Sequence, residues 1–171
     1  MEYCAMKIRK AVIPAAGLGT RMLPISRAVH KEMLPIVDRP AISYLVDEAV
    51  ASGITDILII TNRDKDIMED YFDISPEYEQ KLRASGKTEE IDAMYESASK
   101  ANVYFLRQKV TKGLGHAVGC AKAFIGDEPF CVENRRTVLD ALRGFGYRRS
   151  ILLNIVHEET GDILRQETIA T

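Results

Sequence analysis

Six residues set the terms for the fold. Asp56 to Thr61 reads DILIIT, an unbroken apolar run between a charged and a hydroxyl residue. A strand with one wet face alternates apolar and polar side chains, whereas a continuous apolar run needs cover on both faces. This points to a sheet held between helix layers. Ile8 to Ala15 (IRKAVIPA) reads as a second buried strand and Asn102 to Gln108 (NVYFLRQ) as a third, while Pro129 to Val132 (PFCV) opens a fourth. Between them, Ala41 to Ser52 carries Ile42, Leu45, Val46, Ala49 and Val50 at the spacing of one helix face, with Gly53 as its stop. Asp64–Phe72, Pro76–Ala84 and Thr88–Ala101 read as further helices, the last two rich in Glu, Lys and Gln and outside the main sheet. KGLGHAVGCAKAF, Lys112 to Phe124, is a glycine turn leading into a helix. Strands alternating with helices give an α/β domain, Rossmann-like, with a mainly parallel sheet.

Composition narrows the function classes. A chain of 171 residues accommodates one domain with a real core and is short for two. A net charge of −2 argues against nucleic acid or an anionic membrane as partner. No apolar stretch approaches the length that spans a bilayer, and the N-terminus has no apolar signal core. Cys4, Cys120 and Cys131 are odd in number and widely spaced, which fits a reducing cytoplasm better than a disulfide frame or a zinc site. Either Met1 or Met6 serves as the start.

The first strand ends in VIPAAGLGTRMLP, Val12 to Pro24. In an open α/β sheet, ligands bind beyond the C-terminal strand ends, where Gly17 and Gly19 fall. Glycine lets backbone N–H groups approach a phosphate, Thr20 adds a hydroxyl, and Arg21 can fork onto phosphate oxygens. The dinucleotide fingerprint is excluded because its third glycine falls at Met22, and the P-loop because no Gly-Lys-Ser/Thr follows. A plain turn with a surface arginine is the competing reading. The whole stretch from Gly17 to Arg39 is long and irregular, which is the mark of a functional loop.

The continuation KEMLPIVDRP, Lys31 to Pro40, together with GLGTRMLP and with RQKVTKGLGHAVGCAKAFIGDEPF, Arg107 to Phe130, resembles the bacterial UTP–glucose-1-phosphate uridylyltransferases. These are sugar-phosphate nucleotidyltransferases, and the resemblance covers about residues 7–132, taken as the nucleotide-binding domain. It implies transfer of a uridylyl group from UTP to glucose 1-phosphate, giving UDP-glucose and pyrophosphate. It implies that Ala15, Ala16, Gly17, Gly19 and Thr20 hold the nucleotide through backbone groups. Arg21 and Lys31 would be the catalytic cations, Arg21 on the leaving pyrophosphate and Lys31 beside the reacting phosphate. Gln108 would read the uracil edge and Gly113 would let the backbone approach base or ribose. Lys31 as a solvated lysine and Gln108 as a strand end are the plain alternatives. His116 is expected to be structural, Cys120 packed, and Asp64 and Asp66 helix N-terminal acids rather than metal ligands. Self-association is a further implication of the resemblance.

The resemblance breaks after Val132. It implies that the PFCV strand runs on through two apolar residues to an aspartate that holds Mg²⁺. Here Glu133, Asn134, Arg135, Arg136 and Thr137 follow. Arginine cannot ligate Mg²⁺, Glu133 comes too early, and Asp140 comes too late in what reads as a helix. No metal ligand is therefore expected. Residues 133–171 match neither the family's sugar-binding segment, nor its second lysine, nor its second metal aspartate. The change reads as a frameshift, an internal deletion or a fusion. It leaves a truncated domain with a divergent tail, in which Ser150 to Val156 is a strand that returns as a hairpin through Gly161. A non-catalytic UTP-binding module or an inactive remnant is the alternative to the enzyme.

Overall fold

The computed structural model describes residues 8–63, 65–96, 98–133, 150–156 and 163–170. Met1, Cys4, Met6, Asp64, Asn134 to Thr137, Asp140 and the Gly161 turn lie outside the described residues. Along the chain come β1 (Lys10–Pro14), β2 (Pro35–Ile36), β3 (Arg39–Pro40), α1 (Ala41–Ala51), β4 (Asp56–Thr61), α2 (Asp66–Phe72), α3 (Pro76–Ala84) and α4 (Glu89–Tyr95). Then follow β5 (Asn102–Arg107), α5 (Leu114–Cys120), α6 (Lys122–Ile125), β6 (Phe130–Val132), β7 (Ser150–Val156) and β8 (Ile163–Ala170).

Four strands form one parallel sheet in the order β5-β4-β1-β6. The register sets Leu58 between Val12 of β1 and Tyr104 of β5, so the DILIIT strand is interior. Both of its faces are covered, as its composition requires. Ala11, Ile13, Ile57, Ile59 and Cys131 pack against Ile42, Leu45, Val46 and Ala49 of α1 and Met68 and Phe72 of α2. Val12, Leu58 and Ile60 face Ala117 of α5 together with Ala121 and Ile125. The cover thins at the edge strand β5, where Tyr104 and Leu106 are exposed.

Several boundaries differ from the sequence reading. β1 starts at Lys10 rather than Ile8. The helix expected over Thr88–Ala101 is α4, ending at Tyr95, followed by a single 3-10 turn at Ala98–Lys100. Within that turn the Ser99 hydroxyl donates to the Glu96 carbonyl at 3.3 Å. The helix after Gly113 is two pieces, α5 and α6, joined at Ala121. α3 buries none of its residues, consistent with a place outside the main sheet. The loop from Gly17 to Arg39 holds three 3-10 turns and the small β2–β3 hairpin. β7 and β8 pair antiparallel, Ser150 opposite Ala170, as the tail's hairpin pattern predicts.

Candidate functional site

The glycine loop leaves the C-terminal end of β1, in the middle of the sheet. Its backbone is turned in a consistent direction. The Ala15 carbonyl accepts from Lys65 Nζ, the Ala16 carbonyl from Asn62 Nδ2 at 2.6 Å, and the Gly17 carbonyl from Lys65 Nζ at 3.1 Å. The Ala15 N–H belongs to the sheet, donating to the Ile60 carbonyl at 2.8 Å. Ala15 is thus the base of the loop, with both backbone groups used. Among the described residues, no protein acceptor takes the N–H groups of Ala16, Gly17, Leu18, Gly19 or Thr20. A run of backbone donors left open at a strand end is a concavity suited to an anion.

Lys31 lies beneath this loop. It opens a 3-10 turn, Lys31–Met33, and is half-buried. A Cβ on Gly17 would sit 2.7 Å from Lys31 Nζ, and a Cβ on Gly19 would sit 3.3 Å from Lys31 Cδ and 3.2 Å from Ser26 Cβ. Gly19 also has φ +71°, a conformation that L side chains rarely adopt. The glycines therefore admit the lysine as well as leaving room above the backbone. Thr20 and Arg21 follow in an exposed 3-10 turn, and no carboxylate pairs with Arg21 among the described residues. Lys31, ten residues beyond Arg21, thus comes to the Gly17 and Gly19 backbone, and Thr20 and Arg21 continue the same loop.

Gln108 and Gly113 sit at the same edge of the sheet, beyond β5. The Gln108 N–H donates to the Thr61 carbonyl at 2.7 Å, extending the β4–β5 ladder by one rung. Its side chain is buried, and its amide nitrogen donates to His116 Nδ1 at 2.7 Å. One of the two amide N–H protons is thereby engaged within the protein, and the amide oxygen and the second N–H are left to address a ligand. Gly113 has φ +92° with nothing within 4 Å of where a Cβ would be, so the space beside its backbone is open. His116 is exposed and serves Gln108. Cys120 is half-exposed, 3.9 Å from the same ring nitrogen, not fully packed. Asp66, in the first turn of α2, pairs with Arg107 at 3.1 Å.

The resemblance implies Mg²⁺, and Glu133 decides whether the described residues fit it. The Glu133 N–H continues the β1–β6 ladder, donating to the Val12 carbonyl at 3.0 Å. By the alternation of a strand, its side chain lies on the Cys131 side of the sheet, the α1 side. It is buried, and Oε2 has no hydrogen-bond partner among the described residues. Burial pushes its carboxyl well above the usual carboxylate range, and the nearby charge of Glu48 pushes it further. The same burial, with the charge of Glu133, pushes the Cys131 thiol up to about 12. A carboxyl enclosed in the core, where burial disfavours its charged form, does not suit an Mg²⁺ ligand. Among the described residues no group of three or more His, Cys, Asp or Glu side chains could hold a metal ion. The described residues do not fit Mg²⁺.

The sequence reading passed over Glu32, Asn62 and Lys65. All three are charged or polar side chains that are buried at this site. Lys65 gave one clue: it occupies the N-cap position of α2, where a cation opposes the helix dipole. No helix among the described residues is long and apolar enough to cross a membrane.

The Nucleotidyl transferase family profile matches residues 10–145 of the chain. UTP–glucose-1-phosphate uridylyltransferase of Bacillus subtilis (strain 168) is 56% identical over 126 residues, covering 74% of this chain and 43% of that protein. YngB, a second UTP–glucose-1-phosphate uridylyltransferase of the same strain, is 63% identical over 126 residues, covering 74% of this chain and 42% of its own length. Among solved structures, UDP-glucose pyrophosphorylase complexed with UDP-glucose superposes with a TM-score of 0.61 at 43% identity, over 75% of this chain and 46% of that one. The chain spans less than half the length of these relatives.

Proposed function

This chain belongs to the nucleotidyl transferase family, and we propose from that premise that it binds UTP on the glycine loop while transferring its uridylyl group at a rate close to background. The observation that carries the reading is the inward turn of the Ala15, Ala16 and Gly17 carbonyls, which turns the Ala16, Gly17 and Leu18 N–H groups outward in a loop whose amides from Ala16 to Thr20 have no protein acceptor among the described residues. Open amides and a half-buried lysine suit a triphosphate. Arg21 extends the positive charge toward the β- and γ-phosphates. Gln108, with one amide N–H held by His116, offers its amide oxygen to the N3–H of uracil. Cytosine presents an acceptor at that position and is disfavoured.

In the family reaction an oxygen of glucose 1-phosphate attacks the α-phosphorus. The bond from that phosphorus to the bridging oxygen breaks, and pyrophosphate leaves with the electron pair. The nucleophile is already ionised, so no general base is required. What the reaction needs is orientation and positive charge against the repulsion of two polyanions. One pair of unit charges 4 Å apart costs about 4 kcal/mol at an effective dielectric of 20. In this chain Arg21, Lys31 and the loop amides carry that task without a fitting metal carboxylate, and residues 133–171 do not match the family's sugar-binding segment. A loss of several kcal/mol of charge stabilisation corresponds to roughly a thousandfold or more in rate. Cytoplasmic location and self-association belong to the same proposal as family expectations.

The test is a pair of measurements on the purified chain. Calorimetry with UTP is expected to give measurable binding, and UDP-glucose formation from UTP, glucose 1-phosphate and Mg²⁺ is expected to stay near background. Turnover of about one per second or faster, in a preparation free of host enzyme, would refute the second half and restore the full family activity. Absence of UTP binding would refute the first.

A further inference from the structure

We infer that the buried Lys65–Glu32 pair is a positioning device that aims the glycine-loop amides and Lys31 at the nucleotide phosphates, an inference that deepens the UTP-binding reading above and rests on it. Glu32 falls within KEMLPIVDRP, where the resemblance gives it no role, and Lys65 falls in none of the quoted motifs.

Lys65 is 3% exposed, and Glu32 is 4% exposed. A charge that deep in a protein persists only when paired and hydrogen-bonded. Lys65 meets that condition with acceptors on three other residues: the Ala15 carbonyl, the Gly17 carbonyl at 3.1 Å and Glu32 Oε2 at 2.9 Å. An ammonium has three protons, so its donors are matched. Its position at the start of α2 is electrostatically poor, which makes a use for it elsewhere the more telling.

The consequence follows from peptide geometry. In a planar trans peptide, the C=O of one residue and the N–H of the next point in opposite directions. Holding the Ala15 and Gly17 carbonyls on Lys65 therefore turns the Ala16 and Leu18 N–H groups away from it. Asn62 does the same for the Gly17 N–H by holding the Ala16 carbonyl at 2.6 Å. One ammonium and one amide thus set three successive backbone donors.

Glu32 links this clamp to Lys31. Its Oε2 takes Lys65, and its Oε1 lies 3.3 Å from Lys31 Nζ without meeting hydrogen-bond geometry. The carboxylate attracts Lys31 without consuming a proton of its ammonium. Lys31 is tethered under the glycines, with its donors left for a phosphate.

A purely structural ion pair would lower stability when broken but leave the folded protein's nucleotide affinity unmoved. The experiment therefore compares the full chain with Lys65→Met, Glu32→Gln, Lys31→Met and the Glu32→Gln/Lys31→Met double variant. UTP affinity is read by calorimetry at a temperature where each is folded, and amide hydrogen exchange over residues 15–21 is read without ligand. Lys65→Met is expected to weaken UTP binding about tenfold or more and to speed loop exchange by a similar factor, with β4 protection unchanged. Glu32→Gln keeps the shape and removes the charge. It is expected to weaken UTP binding severalfold and to shrink the effect of Lys31→Met, so that the double variant is less than the product of the singles. UTP affinity within twofold of the parent in a folded Lys65→Met chain, or independent Glu32 and Lys31 effects, overturns the inference. If Lys65→Met does not fold, the Glu32→Gln cycle decides alone. If the parent itself does not bind UTP, the proposed function fails and loop exchange still decides: faster exchange confined to the loop supports the clamp, and unchanged exchange sinks it.

Discussion

Replacing Glu133 by leucine should make this protein more stable, and increasingly so as the pH rises. The Glu133 side chain is 6% exposed on the α1 side of the sheet, beside Cys131 and within reach of the Glu48 charge, and its Oε2 is orphaned. An unpartnered buried polar group costs about 1–3 kcal/mol. A leucine of similar volume removes that cost and adds apolar burial, so a gain of about 2 kcal/mol is expected. For a chain of this size that is roughly 4–8 °C in Tm. The pH signature follows from burial, which raises the folded carboxyl above its ordinary value of 4.5. Between that value and the raised one, the folded state holds a proton that the unfolded state has released. The contribution of Glu133 to stability is therefore fully present below pH 4.5 and is lost as pH rises through the folded value. One proton gives a slope of at most about 1.4 kcal/mol per pH unit. Other carboxylates contribute to the absolute curve, so the quantity to follow is the difference between Glu133→Leu and the parent. Urea unfolding between pH 4 and pH 8 should show the leucine variant's advantage widening with pH, while Glu133→Gln loses the pH-dependent part. A destabilised leucine variant, or an advantage flat across that range, would refute the reasoning.

Gly19→Val should weaken UTP binding more than His116→Ala, because a valine there needs a strained backbone at φ +71° and meets Lys31 and Ser26; equal effects in calorimetry would make the loop only a turn. Gln108→Leu should erase a preference for UTP over CTP of about tenfold in the parent, the scale of one charge-neutral hydrogen bond made or frustrated. A parent that binds both nucleotides equally would remove Gln108 from base recognition.

The sheet was legible because its strands are apolar on both faces, a demand that only a helix-covered parallel sheet meets. The glycine loop was legible because Gly17 and Gly19 end such a strand. The order β5-β4-β1-β6 was not, since β6 pairs with β1 across more than a hundred residues of intervening chain and no local pattern records it. Lys65 and Glu32 escaped because a charged residue in the first turn of a helix or in a loop reads by default as solvated. Only the fold shows that the loop carbonyls converge on one ammonium. In the sequence Glu133 is set aside as a metal ligand because it comes too early. The register that sets Val132 opposite Val12 makes it instead a buried carboxyl on the α1 side.

The most direct test of the account is an amide-resolved titration of the isotope-labelled chain with UTP. Shifts should concentrate at the Ala16, Gly17, Leu18, Gly19 and Thr20 N–H groups, which have no protein acceptor among the described residues, while the Ala15 N–H, held by the Ile60 carbonyl, moves little. Saturable shifts centred elsewhere, with the loop amides unmoved, would contradict it.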